Sequence, residues 1–131
     1  MVDSSVWIDY FRGTATPQAA RLDVLLGNEP LCVGDLILAE VLQGFNTDRE
    51  FNQARKLMDS LEIVTLGGRE MAIQAARNYC ALRLLGITVR NTIDTFIATC
   101  CMEKKITLLF SDRDFDPFVE HMGLCSAMSR E

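Results

Sequence analysis

Asp3, Glu40, Asp94 and Asp112 each stand beside an apolar run of this chain. An ionised carboxylate is costly to bury unless something compensates it. Acids placed this way are expected to meet in space around a shared partner. For several converging oxygens, that partner is a hard divalent cation such as Mg²⁺ or Mn²⁺. Carboxylates and such ions together perform phosphodiester hydrolysis.

Each residue also has a plainer use. Glu40, in L-I-L-A-E-V-L, suits the solvent face of an amphipathic helix, yet its run is otherwise apolar and Glu is rarely buried unpaired. Asp94, in T-I-D-T-F-I-A, suits an ion pair with Arg90 four residues earlier, or a first helical turn favoured by the dipole. Asp112 and Asp114, in S-D-R-D-F-D-P-F, suit a turn or helix cap; Asp116 is assigned to capping. Asp3 suits the cap of a helix starting near Ser5. The set is more specific than any member of it.

Other chemistries lack their residues. His121 is the one histidine, which excludes a histidine pair and disfavours a Ser-His-Asp triad. Neither a Walker loop nor G-x-G-x-x-G occurs.

The elements that must position the acids are legible from caps and periodicity. Met1 to Asp3 reads as a strand stub, and Ser5 to Arg12 as a short helix closed by Gly13. A helix opening at Thr16 or Pro17 carries Ala20, Leu22, Leu25 and Leu26 inward. Pro30 to Val33 is a short buried strand, and Asp35 an N-cap for Leu36 to Phe45. A helix from Thr47 or Asp48 spaces Phe51, Ala54, Leu57, Met58 and Leu61 along one face. Glu62 to Leu66 is a strand, and Gly67-Gly68 precedes a helix over Glu70 to Leu85 that Gly86 stops. Asn91 or Thr92 caps Ile93 to Lys104; Ile106 to Phe110 is an apolar strand; Asp116-Pro117 starts a last short helix.

Apolar strands alternating with helices predict an α/β fold with a parallel sheet covered on both faces. In such sheets, sites form beyond the carboxyl ends of the strands. Asp3 and Asp112 each follow a strand, so this rule brings them to one edge.

The totals bound the answer. The chain has 131 residues, 49% of them hydrophobic, which is enough for a single domain over 1–131. No apolar run approaches the ~20 residues of a membrane span; Glu40 interrupts Leu36 to Leu42. No leader is expected. The odd number of cysteines, five without C-x-x-C, argues against disulfides or a zinc ribbon. It fits a cytoplasmic setting with core-filling thiols. A net charge of −5 opposes a general electrostatic hold on nucleic acid. Bound cations would cancel part of it locally.

V-D-S-S-V-W-I-D-Y-F, then L-A-E-V-L, then R-N-T-I-D-T-F-I-A, then S-D-R-D-F-D resembles the PIN-domain ribonucleases over essentially the whole chain. It is most similar to VapC toxins of VapBC toxin–antitoxin pairs. The resemblance implies a three-layer fold and a four-acid site for Mg²⁺ or Mn²⁺ at Asp3, Glu40, Asp94 and Asp112. Asp114 matches an additional acid, Ser5 a small hydroxyl residue that supports the site, and Arg90 a recurrent basic residue. It implies cleavage of structured RNA such as tRNA or rRNA, a VapB-like antitoxin, a homodimer and a cytoplasmic location. For the dimer, the helices over Leu36 to Phe45 and Phe51 to Leu61 carry apolar residues beyond a single buried stripe. Members usually have a few more residues before the first Asp; here Met1-Val2 leaves a very short first strand. Two rivals stand beside this expectation. One is a PIN-like module that binds RNA or a partner without cutting. The other is a phosphoacceptor receiver domain, which would want paired acids after strand one and an Asp after strand three.

Overall fold

In the computed structural model, which describes residues 1–128, local signals set most helix ends. α1 (Ser4–Arg12) stops at Gly13, whose φ of 73° is a conformation that glycine adopts at little cost. α2 (Pro17–Leu25) is capped by the Thr16 hydroxyl, which accepts from the Ala19 amide at 2.9 Å, with proline in the first turn. Its buried stripe is Ala19, Leu22 and Leu25; Ala20, expected inward, is exposed. One residue's step turns a helical side chain by about 100°, so only one of these adjacent alanines joins the stripe.

β1 (Cys32–Gly34) pairs in parallel with β2 (Glu62–Val64), Val33 opposite Ile63. The first strand starts later than expected because Pro30 has no N–H to give a ladder. α3 (Asp35–Leu42) follows β1 directly. Asp35, expected as its cap, is its first residue. The Asp35 carboxylate accepts from the Leu36 and Leu66 amides, both at 2.9 Å, and so ties the β1–α3 joint to the exit of β2. α4 (Asp48–Met58) is capped by Thr47: the Glu50 amide donates to the Thr47 hydroxyl, which donates to the Glu50 carboxylate, both at 3.2 Å.

α5 (Arg69–Leu84) packs on α6 (Thr92–Lys104), and the Asn78 amide donates to the buried Thr99 hydroxyl between them at 2.9 Å. Asn91 caps α6 by accepting from the Ile93 amide. α6 is the most enclosed helix, burying Asp94, Thr95, Ile97, Ala98, Thr99, Cys100 and Cys101. A 3₁₀ turn, Arg113–Phe115, leads into α7 (Asp116–Met122); Asp116 is the first residue of α7 rather than its cap.

The expected strands at Met1–Asp3 and Ile106–Phe110 shrink to single bridges. Val2 bridges Leu109 and Leu108 bridges Ser126, both in parallel. The Leu109 amide donates to the Met1 carbonyl, and the Asp3 amide to the Leu109 carbonyl, both at 2.9 Å. Around this parallel sheet the helices close a core whose fully buried members include Trp7, Leu22, Ile37, Leu66, Leu108, Phe115 and Phe118. Coverage is not uniform: Ile63 on β2 is exposed, as expected of an edge strand.

The cysteines divide. Cys100 and Cys101 fill the core as expected, and burial pushes the Cys101 thiol up to about 12. Cys80 and Cys125 are exposed and Cys32 is half-buried, so core filling does not account for all five. No helix among the described residues is long and apolar enough to cross a membrane.

Candidate metal centre

Asp3 is placed by the first bridge. Its amide is bonded to Leu109, three residues before Asp112, so the ends of two parallel segments bring both acids to one edge. Asp3 precedes α1 but closes no capping bond with its side chain; its carboxylate accepts from the Ser5 hydroxyl at 3.0 Å. Asp112 keeps the plainer role as well. One of its oxygens accepts from the Asp114 amide at 2.9 Å and caps the 3₁₀ turn. That turn projects Asp114 back toward Asp112. Asp94, 7% exposed, enters from the first turn of α6.

Asp94, Asp112 and Asp114 form the tight part of the site. One carboxylate oxygen from each lies within 4.8 Å of the others. Asp3 and Glu40 stand outside this trio but close enough to act on Asp94 as like charges. Glu40 reaches the region from half-buried α3, which packs on α1. All four acids of the expected quartet, Asp3, Glu40, Asp94 and Asp112, thus lie in one region, with Asp114 close beside Asp94 and Asp112. The i, i+2 spacing of S-D-R-D is the signal that sets Asp114 beside Asp112, because an aspartate side chain readily accepts from the amide two residues on.

The Arg90–Asp94 pair, the plainer alternative for Asp94, does not form. Arg90 Nη2 instead reaches both oxygens of Asp114, at 3.2 and 3.3 Å. Asp94 is left among acids, and its pKa is pushed up to about 7. Burial is the main cause, followed by Asp3, Asp112, Asp114 and Glu40. Asp3 is also raised, chiefly by burial and also by Glu40, against the lowering effect of the Ser4 and Ser5 amides and the Ser5 hydroxyl. A donor set of carboxylate oxygens alone, crowded until one of them prefers a proton, fits a hard divalent cation. Size is not what marks the site. A cavity of about 1200 Å³ lies elsewhere, among Met1, Arg21, Cys32, Glu62, Lys104 and Cys125, and none of the clustered acids lines it.

The family model for the PIN domain matches residues 1–119. The chain belongs to the PIN domain family. Similar proteins extend the match over the whole length. A VapC ribonuclease of Mycobacterium bovis is 28% identical over 132 residues, covering 99% of this chain and 98% of the relative. Ribonuclease VapC11 of Mycobacterium tuberculosis matches to the same extent. Among solved structures, a chain in the crystal structure of VapBC2 from Rickettsia felis, bound to a DNA fragment from its promoter, superposes with a TM-score of 0.69. The identity there is 18%, over 96% of this chain and 95% of that one, and the likeness is one of fold. The PIN domain assignment agrees with a parallel sheet flanked by helices and with acids gathered where its segments end.

Proposed function

We propose that this PIN domain is a Mg²⁺- or Mn²⁺-dependent endoribonuclease. We further propose that it is the toxin of a type II toxin–antitoxin pair, cutting structured RNA such as tRNA or rRNA in the cytoplasm and so blocking translation. The observation that carries this is Asp94: buried, clustered with Asp112 and Asp114, and with its pKa pushed up to about 7 by burial and by the charges of Asp3, Asp112, Asp114 and Glu40. Such a site gains most from a divalent cation, and a bound ion supplies the Lewis acidity and charge neutralisation that phosphodiester hydrolysis needs.

The chain's own residues have distinct parts. Asp94, Asp112 and Asp114 would hold the ion, with Asp3 and Glu40 as flanking ligands, directly or through water. The Ser5 hydroxyl fixes the rotamer of Asp3. The cap on the 3₁₀ turn fixes Asp112 against Asp114. The names of the VapC relatives and of the VapBC2 structure support a VapB-like antitoxin as partner. A receiver domain is the weaker fit, because the chain leaving β2 runs through Thr65, Leu66 and two glycines and offers no acid to phosphorylate.

The test is expression beside in vitro cleavage. The wild-type chain should arrest growth, and Asp3→Ala should relieve the arrest at equal protein level. Purified protein should cut an RNA hairpin with Mn²⁺ and stop when EDTA is added. Equal toxicity of Asp3→Ala, or undiminished cleavage in EDTA, would remove this function.

A further inference from the structure

Arg90 sits just before the cap of α6, at the rim of the acidic cluster. Its side chain is 81% exposed, whereas that of Asp114 is 21% exposed. A single nitrogen, Nη2, makes both contacts to Asp114. A guanidinium has five N–H donors in a rigid fork, so most of this one still faces solvent. Its charge is permanent, and the fields of Asp114 and Asp112 reinforce it. Arg90 is thus a cation on a long stem, bound to one member of the trio that would take a metal ion.

We infer that Arg90 has two positions: on Asp114 when the cluster is free of metal, and on an RNA phosphate once a divalent cation has claimed that carboxylate. This rests on the ribonuclease function proposed above. The reasoning is electrostatic. A divalent ion among Asp94, Asp112 and Asp114 takes up the charge that holds Arg90 and repels the guanidinium. The displaced fork remains tethered at the mouth, where a backbone phosphate must pass to reach the ion. A phosphate matches that fork with two parallel bonds. The exposure of the pair keeps the exchange cheap, since exposed ion pairs are weak.

The inference predicts opposite effects on metal and RNA. With no RNA present, Arg90→Gln should bind Mn²⁺ about two- to fivefold more tightly than wild type by calorimetry, because a competitor worth one exposed pair has gone. On an RNA hairpin in saturating Mn²⁺, the same variant should show a raised KM. The slope of log kcat/KM against log salt should become shallower by about 0.7, one phosphate contact. Arg90→Lys keeps the charge and should restore the slope. Weaker Mn²⁺ binding by Arg90→Gln would mean that Arg90 holds Asp114 in place for the metal, and would overturn the two-position role. So would an unchanged salt slope. If the wild type binds no Mn²⁺ and cuts no RNA, the ribonuclease function itself falls and this role with it. If the wild type does both and Arg90→Gln alters neither, only the role of Arg90 falls.

Discussion

Asp94 holds a charge that the folded chain disfavours. Its pKa lies near 7 in the fold, against 3.8 for an ordinary aspartate. Below about pH 3 it is protonated whether the chain is folded or not, and costs nothing. As pH rises toward 7 the unfolded chain ionises while the fold retains the proton, so stability is lost; above 7 the loss is complete. Asp94→Asn should therefore stabilise the metal-free protein at pH 8 by on the order of 2–4 kcal/mol, and by almost nothing at pH 3. Urea denaturation in EDTA at the two pH values measures this. A variant less stable than wild type at pH 8 would contradict the crowding of charge around Asp94. Mn²⁺ should reverse the order at pH 8, raising the wild-type Tm through binding to the folded state and leaving Asp94→Asn nearly unmoved.

At the joint between β1 and α3 the chain leaves no room for a side chain at Gly34. At Gly34 the φ of −72° suits any residue, so the reason for glycine is space. An added Cβ would overlap Leu66 Cδ1 and lie 2.7 Å from its Cγ, and Leu66 is fully buried. Gly34→Ala should cost about 1–3 kcal/mol by overpacking. Leu66→Ala is itself costly, and the double variant should lose less than the sum of the two single losses, a coupling that a double-mutant cycle by denaturation reads directly. Independent, additive losses would show that the clash is not the cause. This joint also shows what a sequence can and cannot tell. Caps at Thr16, Thr47 and Asn91 and the stop at Gly13 are local chemistry, and those helices were legible. The acids were legible as misfits beside apolar runs. Asp35 looked like another cap, and its bond to the Leu66 amide, 31 positions away, has no local signature. For the same reason an Arg90–Asp94 pair stood as the plainer alternative: their i, i+4 spacing is visible in the sequence, and the turn that brings Asp114 to Arg90 is not. Ile106 to Phe110 reads as a full strand because its apolarity is real, yet only Leu108 and Leu109 find a neighbour to pair with.

At the scale of the molecule, a net charge of −5 forbids a general electrostatic hold on RNA. Binding should depend on metal, falling steeply in EDTA even at low salt, which fluorescence anisotropy would follow; tight binding in EDTA would point to a basic surface instead. The homodimer that the resemblance implies needs apolar surface; on α3 and α4, whose residues suggested it, Leu42 and Phe51 remain half-buried. The exposed large apolar residues include Ile73 and Leu84 on α5 and Leu85 just after it, with Leu84 88% and Leu85 60% exposed. Replacing Leu84 and Leu85 together by Asp should turn a dimer into a monomer by sedimentation at micromolar concentration, without loss of fold. A wild type already monomeric under those conditions would exclude the dimer. The bonds that place Asp3 also set a schedule. Met1 donates to Thr107, 106 positions on, and Asp3 leans on Leu109. On the ribosome Asp3 emerges first and waits for the strand that holds it, on the order of 5–20 s at usual rates of synthesis. A half-made chain carries Asp3 and Glu40 but none of the trio, so the proposed site stays incomplete until α6 and the turn after Asp112 have been made.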